Sequence, residues 1–128
     1  MTSVAQAGPT PDRRAAAYLL AQAAAVLAWW VAVIVSHPVR EVFFPYGGLD
    51  PAFVAFLLPD LVFIVAGSLV VARRKARGEA GTRGAAILLG AVGYATLYTL
   101  CWTLLLRAPP ASAVAMGVLA IGTWRACR

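Results

Sequence analysis

The chain has 128 residues, of which 62% are hydrophobic and 12% charged, and its mean hydropathy is +0.80. Soluble domains carry about 25% charged residues, so half that share excludes a water-exposed enzyme domain of this size. The formal charge of +6 sits in clumps between apolar runs, the pattern of membrane topology; a nucleic-acid binder would show one basic stripe among stacking aromatics, and no nucleic-acid partner is expected.

Residues 1–14 are polar, contain Pro9 and Pro11, and end in Arg13–Arg14. They predict a short cytoplasmic tail, with residues 15–128 forming a single transmembrane domain. The stretch 15–36 holds no charge and ends in Trp29–Trp30 and a Val/Ile run. It exceeds the about 7–15 apolar residues of a signal-peptide core and reads as a retained first span. Trp29 shares a helical face with Gln22, Ala25, Ala32 and Ser36 and is expected to point inward. Trp30 is assigned to the interfacial belt, facing lipid.

The segment HPVREVFFPYGGLDP, with Phe43, Phe44 and Tyr46 among its turn residues, predicts a loop at the interface. Asp50–Pro51 then reads as an N-cap followed by proline at the first helical position. The second span covers 51–72 and meets the densest basic cluster, Arg73, Arg74, Lys75 and Arg77. Those four are expected to touch anionic lipid headgroups. A glycine-punctuated connector over 78–84 leads to the third span, 84–106. That span carries two stripes: Gly90, Tyr94, Tyr98 and Trp102, and beside them Ala91, Ala95, Thr99 and Thr103. Small and hydroxyl-bearing stripes let helices approach and hydrogen-bond.

The fourth span is placed at 108–124. Its apolar run, 111–124, rises about 21 Å against a hydrocarbon core of about 30 Å. Snorkelling Arg125 and Arg128 make a thin span feasible, and a re-entrant segment is the alternative. With the N-terminus inside, only Arg40 and Arg107 fall outside. The expected fold class is therefore all-α, an integral membrane four-helix bundle, N-in and C-in, in a bacterial inner membrane.

Asp60 is the only acid within an apolar run. An intramembrane carboxyl costs about 2.5–3.5 kcal/mol on insertion scales and faces a bundle interior or cavity. Counting 1.5 Å per residue places it about 10 Å below the outer boundary, level with Trp29, Trp30, Tyr98, Thr99 and Met116. The candidate ligand-binding residues are Asp60, Trp29, Tyr94, Tyr98, Thr99 and Met116, an aromatic wall around one acid. The plainer alternative is a protonated Asp60 acting as packing glue between helices. Asp60 is expected to face the helix bundle, mostly protonated, and to hydrogen-bond with Tyr98 or Thr99. His37 stands alone and Cys101 and Cys127 have no metal spacing, so no metal and no cofactor are expected. No catalytic set is complete. The expectation is a binder of an apolar or lipid-like molecule, or an accessory subunit or homo-oligomer docking through small-residue faces. A membrane-embedded isomerase or proton-coupled carrier using Asp60 is the alternative.

The stretch DPAFVAFLLPDLVF, Asp50 to Phe63, resembles the EXPERA group of four-helix membrane proteins, which includes sterol isomerases and sterol-binding relatives. The resemblance covers about one span, with a proline-containing entry and an acid in an apolar-aromatic context. It implies a sterol- or lipid-like ligand with Asp60 as polar anchor. The chain departs from the family by having Gln22 where an acid is expected in the first helix. It also lacks the histidine-bearing isomerase motif, so isomerase activity is not implied.

Overall fold

The first helix begins where the sequence offers a cap. Asp12 Oδ1 accepts the Ala15 N–H at 2.9 Å, satisfying one of the four donors left open at a helix start. From there α1 runs Arg13–Val35. The computed structural model describes residues 10–43, 54–79 and 81–128, and every regular element among them is helical. Ser36 ends α1 in an extended conformation, φ −108° and ψ 111°.

A short helix, α2 (His37–Phe43), then replaces the start of the predicted interface loop. Pro38 suits a first helical turn, and His37 and Glu41 meet one turn apart at 3.5 Å. Arg40 folds back on α1: its Nε donates to Val33 O at 3.0 Å and its Nη2 to Ile34 O at 2.9 Å. These are carbonyls that a helix end leaves without intrahelical partners. The rest of that loop, the Asp50–Pro51 cap and the first residues of the predicted second span lie outside the described residues, as do residues 1–9 of the tail.

The second rod occupies residues 57–76. It consists of α3 (Leu57–Pro59), a π-helical segment (Asp60–Ala66) and α4 (Gly67–Ala76). The junction residues Pro59, Asp60, Ala66 and Gly67 all keep right-handed helical dihedrals, so the rod is continuous. The wider π turn starts directly after Pro59, whose ring crowds the preceding turn and has no N–H to give it. The rod passes the predicted end at Ala72 and carries the basic cluster in its last turn. Gly78, at φ 70°, closes it. The Glu79 N–H reaches Arg74 O at 2.9 Å and the Gly78 N–H reaches Lys75 O at 3.1 Å, the paired bonds of a Schellman ending.

Next comes α5 (Thr82–Leu106), which stops at Arg107 with φ 50°. Pro109 and Pro110 turn the chain into α6 (Ala111–Cys127). Ala108–Pro110, expected inside the fourth span, are not helical, because two prolines cannot extend the hydrogen-bond ladder. The helix instead continues through Arg125 to Cys127, 17 residues or about 25 Å. Among the described residues two helical stretches, Arg13–Val35 and Arg83–Leu106, are long and apolar enough to cross a membrane, and α6 is apolar but shorter.

The rods pack in a ring. α1 lies on the second rod, the second rod on α5, α5 on α6, and α6 back on α1. The tight core fills one end, where Ala15, Leu19, Ala72, Ala85, Leu88 and Ala126 are buried together. Small residues permit the approach: a Cβ on Gly67 would meet Leu88 Cδ1 at 3.4 Å, and one on Gly122 would overlap the Tyr18 ring and hydroxyl. At the top of this core three polar side chains join three rods. Gln22 Nε2 donates to Ser68 Oγ at 3.1 Å, and the Thr123 hydroxyl lies 2.7 Å from both Gln22 Oε1 and Leu119 O. All three residues are buried. Together they form a floor.

Candidate functional site

Beyond that floor the four rods and α2 border a half-open cavity of about 770 Å³, within the about 300–1,000 Å³ usual for small-molecule sites. Trp29 and Trp30 come from α1, and Phe43 from α2. The second rod supplies Phe56, Asp60 and Phe63. From α5 come Gly90, Tyr94, Tyr98 and Thr99, and from α6 Ser112 and Met116. The structure thus brings all six ligand-binding candidates named from sequence around one space. The basic cluster is elsewhere: Arg73, Arg74 and Arg77 are exposed, and Lys75 half-buried, at the opposite end of the second rod.

Asp60 stands at the first residue of the π segment, and its Oδ2 accepts the Trp30 indole N–H at 3.0 Å. This corrects two expectations. The partner of Asp60 is neither Tyr98 nor Thr99, since the Thr99 hydroxyl donates to Thr96 O at 3.0 Å and Tyr98 is engaged by aromatic rings. Trp30 does not face lipid either; it is 3% exposed. The buried stripe of α1 runs Ala15, Leu19, Gln22, Val26, Trp30 and Val33, a 3.6-residue period. The face inferred from sequence steps through Gln22, Ala25, Trp29 and Ala32 at 3.5 and drifts off the core by the end of the helix. Trp29 consequently sits beside the stripe, half-buried.

The aromatic groups form two clusters around the acid. Trp29 meets Trp30 edge-on at 5.0 Å and Phe43 at 5.6 Å. On the far wall Tyr98 packs on Phe56 at 4.6 Å, stacks with Tyr94 at 6.5 Å and leans on Trp102 at 6.1 Å. Such pairs hold their rings in fixed relative orientations. Among the described residues Asp60 makes no ion pair, and Arg40 is turned to the carbonyls of α1.

Two residues escaped the sequence reading. The Thr96 hydroxyl lies 2.7 Å from Val92 O and 3.2 Å from Met116 O, tying α5 to α6 beneath the cavity wall. It falls outside the two stripes read in the third span, about 90° past the Ala95–Thr99 stripe, and its hydroxyl was the available signal. Ser112 in the first turn of α6 is buried with its Oγ unpartnered; nothing in its neighbourhood in the chain marks it out.

The arrangement offers one carboxyl held by one indole, inside aliphatic and aromatic walls. Among the described residues the lining contains no second acid, no lysine or arginine, no histidine and no cysteine. Among the described residues no three His, Cys, Asp or Glu side chains gather as a metal site would require. Such a cavity can desolvate an apolar body and fix one polar group on it. No protein family, curated protein or solved structure matches the chain, so the functional reading rests on the cavity.

Proposed function

We propose that the chain is a four-helix membrane bundle, N-in and C-in in a bacterial inner membrane, that binds an apolar or lipid-like molecule with Asp60 as polar anchor and does no chemistry on it. The observation that carries the reading is the cavity: a volume suited to a small molecule, nearly all apolar walls, and, among the described residues, one acid fixed by Trp30. The membrane part is supported by the outer surface. Leu20, Val31, Leu58, Leu104, Leu105 and Val118 are each at least half exposed, a spread of apolar surface that water would not tolerate on a monomer. The EXPERA-like stretch, as a resemblance, implies the same ligand class.

Gly90 provides the test. It lines the cavity, and a Cβ there meets no atom within 4 Å, so the side chain of Gly90→Leu starts into open space and takes up volume meant for the ligand. Protein purified in mild detergent is extracted with organic solvent, and the extract is analysed by mass spectrometry. The expected result is a stoichiometric apolar compound from the parent chain, absent from a Gly90→Leu chain that still elutes as a folded, monodisperse species. Equal recovery from both chains refutes cavity binding. Stoichiometric co-purification of another polypeptide with no small molecule favours the accessory-subunit reading.

A further inference from the structure

The four rods bring their charged ends together at the packed end of the ring. The Asp12 N–H donates to Lys75 O at 2.9 Å, joining the start of α1 to the end of α4. Arg74 lies across Gly81 at the start of α5, where a Cβ would meet its Cδ at 2.9 Å. Ala126 of α6 is buried in the same cluster as Ala15, Ala72 and Ala85. Every lysine and arginine of the chain except Arg40 and Arg107 therefore sits at one end of the molecule.

Very little opposes this charge. Asp12 is occupied as the cap of α1, and Glu79 pairs with Arg77 at 3.8 Å. Arg73, Arg83 and Arg125 are exposed and make no ion pair among the described residues. The start of α5 opens here with no side-chain cap and no acid in the first turn, adding positive potential at the same end. Concentrated like charge destabilises the folded state through self-repulsion unless an anion relieves it. The Arg128 guanidinium lies 3.5 Å over the ring of exposed Trp124, an amphipathic pair of the kind that anchors a helix at headgroup level. At the opposite end Arg40 is folded onto α1, and Arg107 is the other cation away from this cluster.

We infer that this end is a docking surface for anionic phospholipid headgroups, drawing phosphates from the adjoining leaflet into contact with cations of all four rods. The inference rests on the membrane-spanning part of the proposed function and is independent of the cavity. Each cation held at an anionic surface strengthens attachment by about fivefold, and salt screens the effect.

The experiment uses the full chain purified in detergent and mixed with equal amounts of phosphatidylglycerol and phosphatidylcholine bearing the same acyl chains. Bound lipid is counted by native mass spectrometry. The expected result is a phosphatidylglycerol preference above about tenfold. Arg73→Gln combined with Arg125→Gln lowers it about 25-fold or abolishes it, Arg107→Gln leaves it unchanged, and raised salt weakens it. Equal retention of the two lipids overturns the inference, as does a stoichiometric acidic polypeptide occupying the surface instead. Washing native membranes with alkaline carbonate separates the two readings. A chain that stays in the membrane yet shows no lipid preference defeats the docking surface alone, whereas a chain that washes out defeats the membrane-spanning reading as well.

Discussion

Replacing Trp30 by Phe removes the indole N–H from Asp60 while leaving an aromatic ring on the buried stripe of α1. The bond is 3.0 Å long and the donor residue is 3% exposed, so water does not readily replace it. Hydrogen bonds between membrane helices average about 0.6 kcal/mol and reach about 1.7, and an orphaned buried partner costs about 1–3 kcal/mol. With the smaller ring adding a partial void, Trp30→Phe should cost about 2–3 kcal/mol in all. Asp60→Leu should cost about 1–3 kcal/mol by leaving the indole N–H unpaired. Asp60→Asn should stay within about 0.5 kcal/mol of the parent, because its amide oxygen still accepts that N–H. The assay is denaturant unfolding of the purified chain in detergent micelles, followed by fluorescence of the remaining tryptophans. If the bond is as described, the double variant Trp30→Phe/Asp60→Leu costs less than the sum of its parts by about 1–2 kcal/mol. Additivity within about 0.3–0.5 kcal/mol, or a harmless Trp30→Phe, would refute the pairing and with it the placement of Asp60.

Other outcomes follow from the packed end. Gln22→Leu removes two interhelical hydrogen bonds from the floor, but Thr123 retains Leu119 O, so the expected loss is about 1–2 kcal/mol by the same unfolding assay; a neutral result would mean that the floor contributes shape alone. Gly122→Ala should destabilise by about 1–3 kcal/mol through overlap with Tyr18, and adding Tyr18→Leu should recover part of that loss; failure to recover would place the strain elsewhere. Burial raises the Cys127 thiol above the usual thiol range and the nearby Lys75 ammonium opposes the rise. Maleimide labelling of Cys127 near neutral pH should therefore be slow, become faster as pH rises, and slow further in Lys75→Gln, since losing the cation leaves less thiolate. Faster labelling in Lys75→Gln would contradict the placement of the Lys75 ammonium near Cys127.

Much of the architecture is legible in the order of the residues because it depends on neighbours along the chain. Absence of charge over 15–36 and 84–106 produces long apolar helices, and the prolines at 109–110 stop one and start the next. The rarity of an acid in an apolar run singles out Asp60, and counting the rise per residue places its aromatic neighbours at the same level. What the chain order could not specify is which of several residues at one level meet. Trp29 and Trp30 differ by 100° of helical rotation, and a choice between a 3.5 and a 3.6 period reverses their roles. The partner of Asp60 was misassigned for that reason. The Gln22–Ser68–Thr123 floor and the Thr96 link depend on how helices are rotated against one another, which no single helix encodes. Short helix α2 forms because Arg40 can fill the open carbonyls of α1, a contact that exists only once the chain has turned back. The cavity itself is a property of the ring: only the closure of the rods around a packed floor leaves an apolar space with Asp60 in its wall.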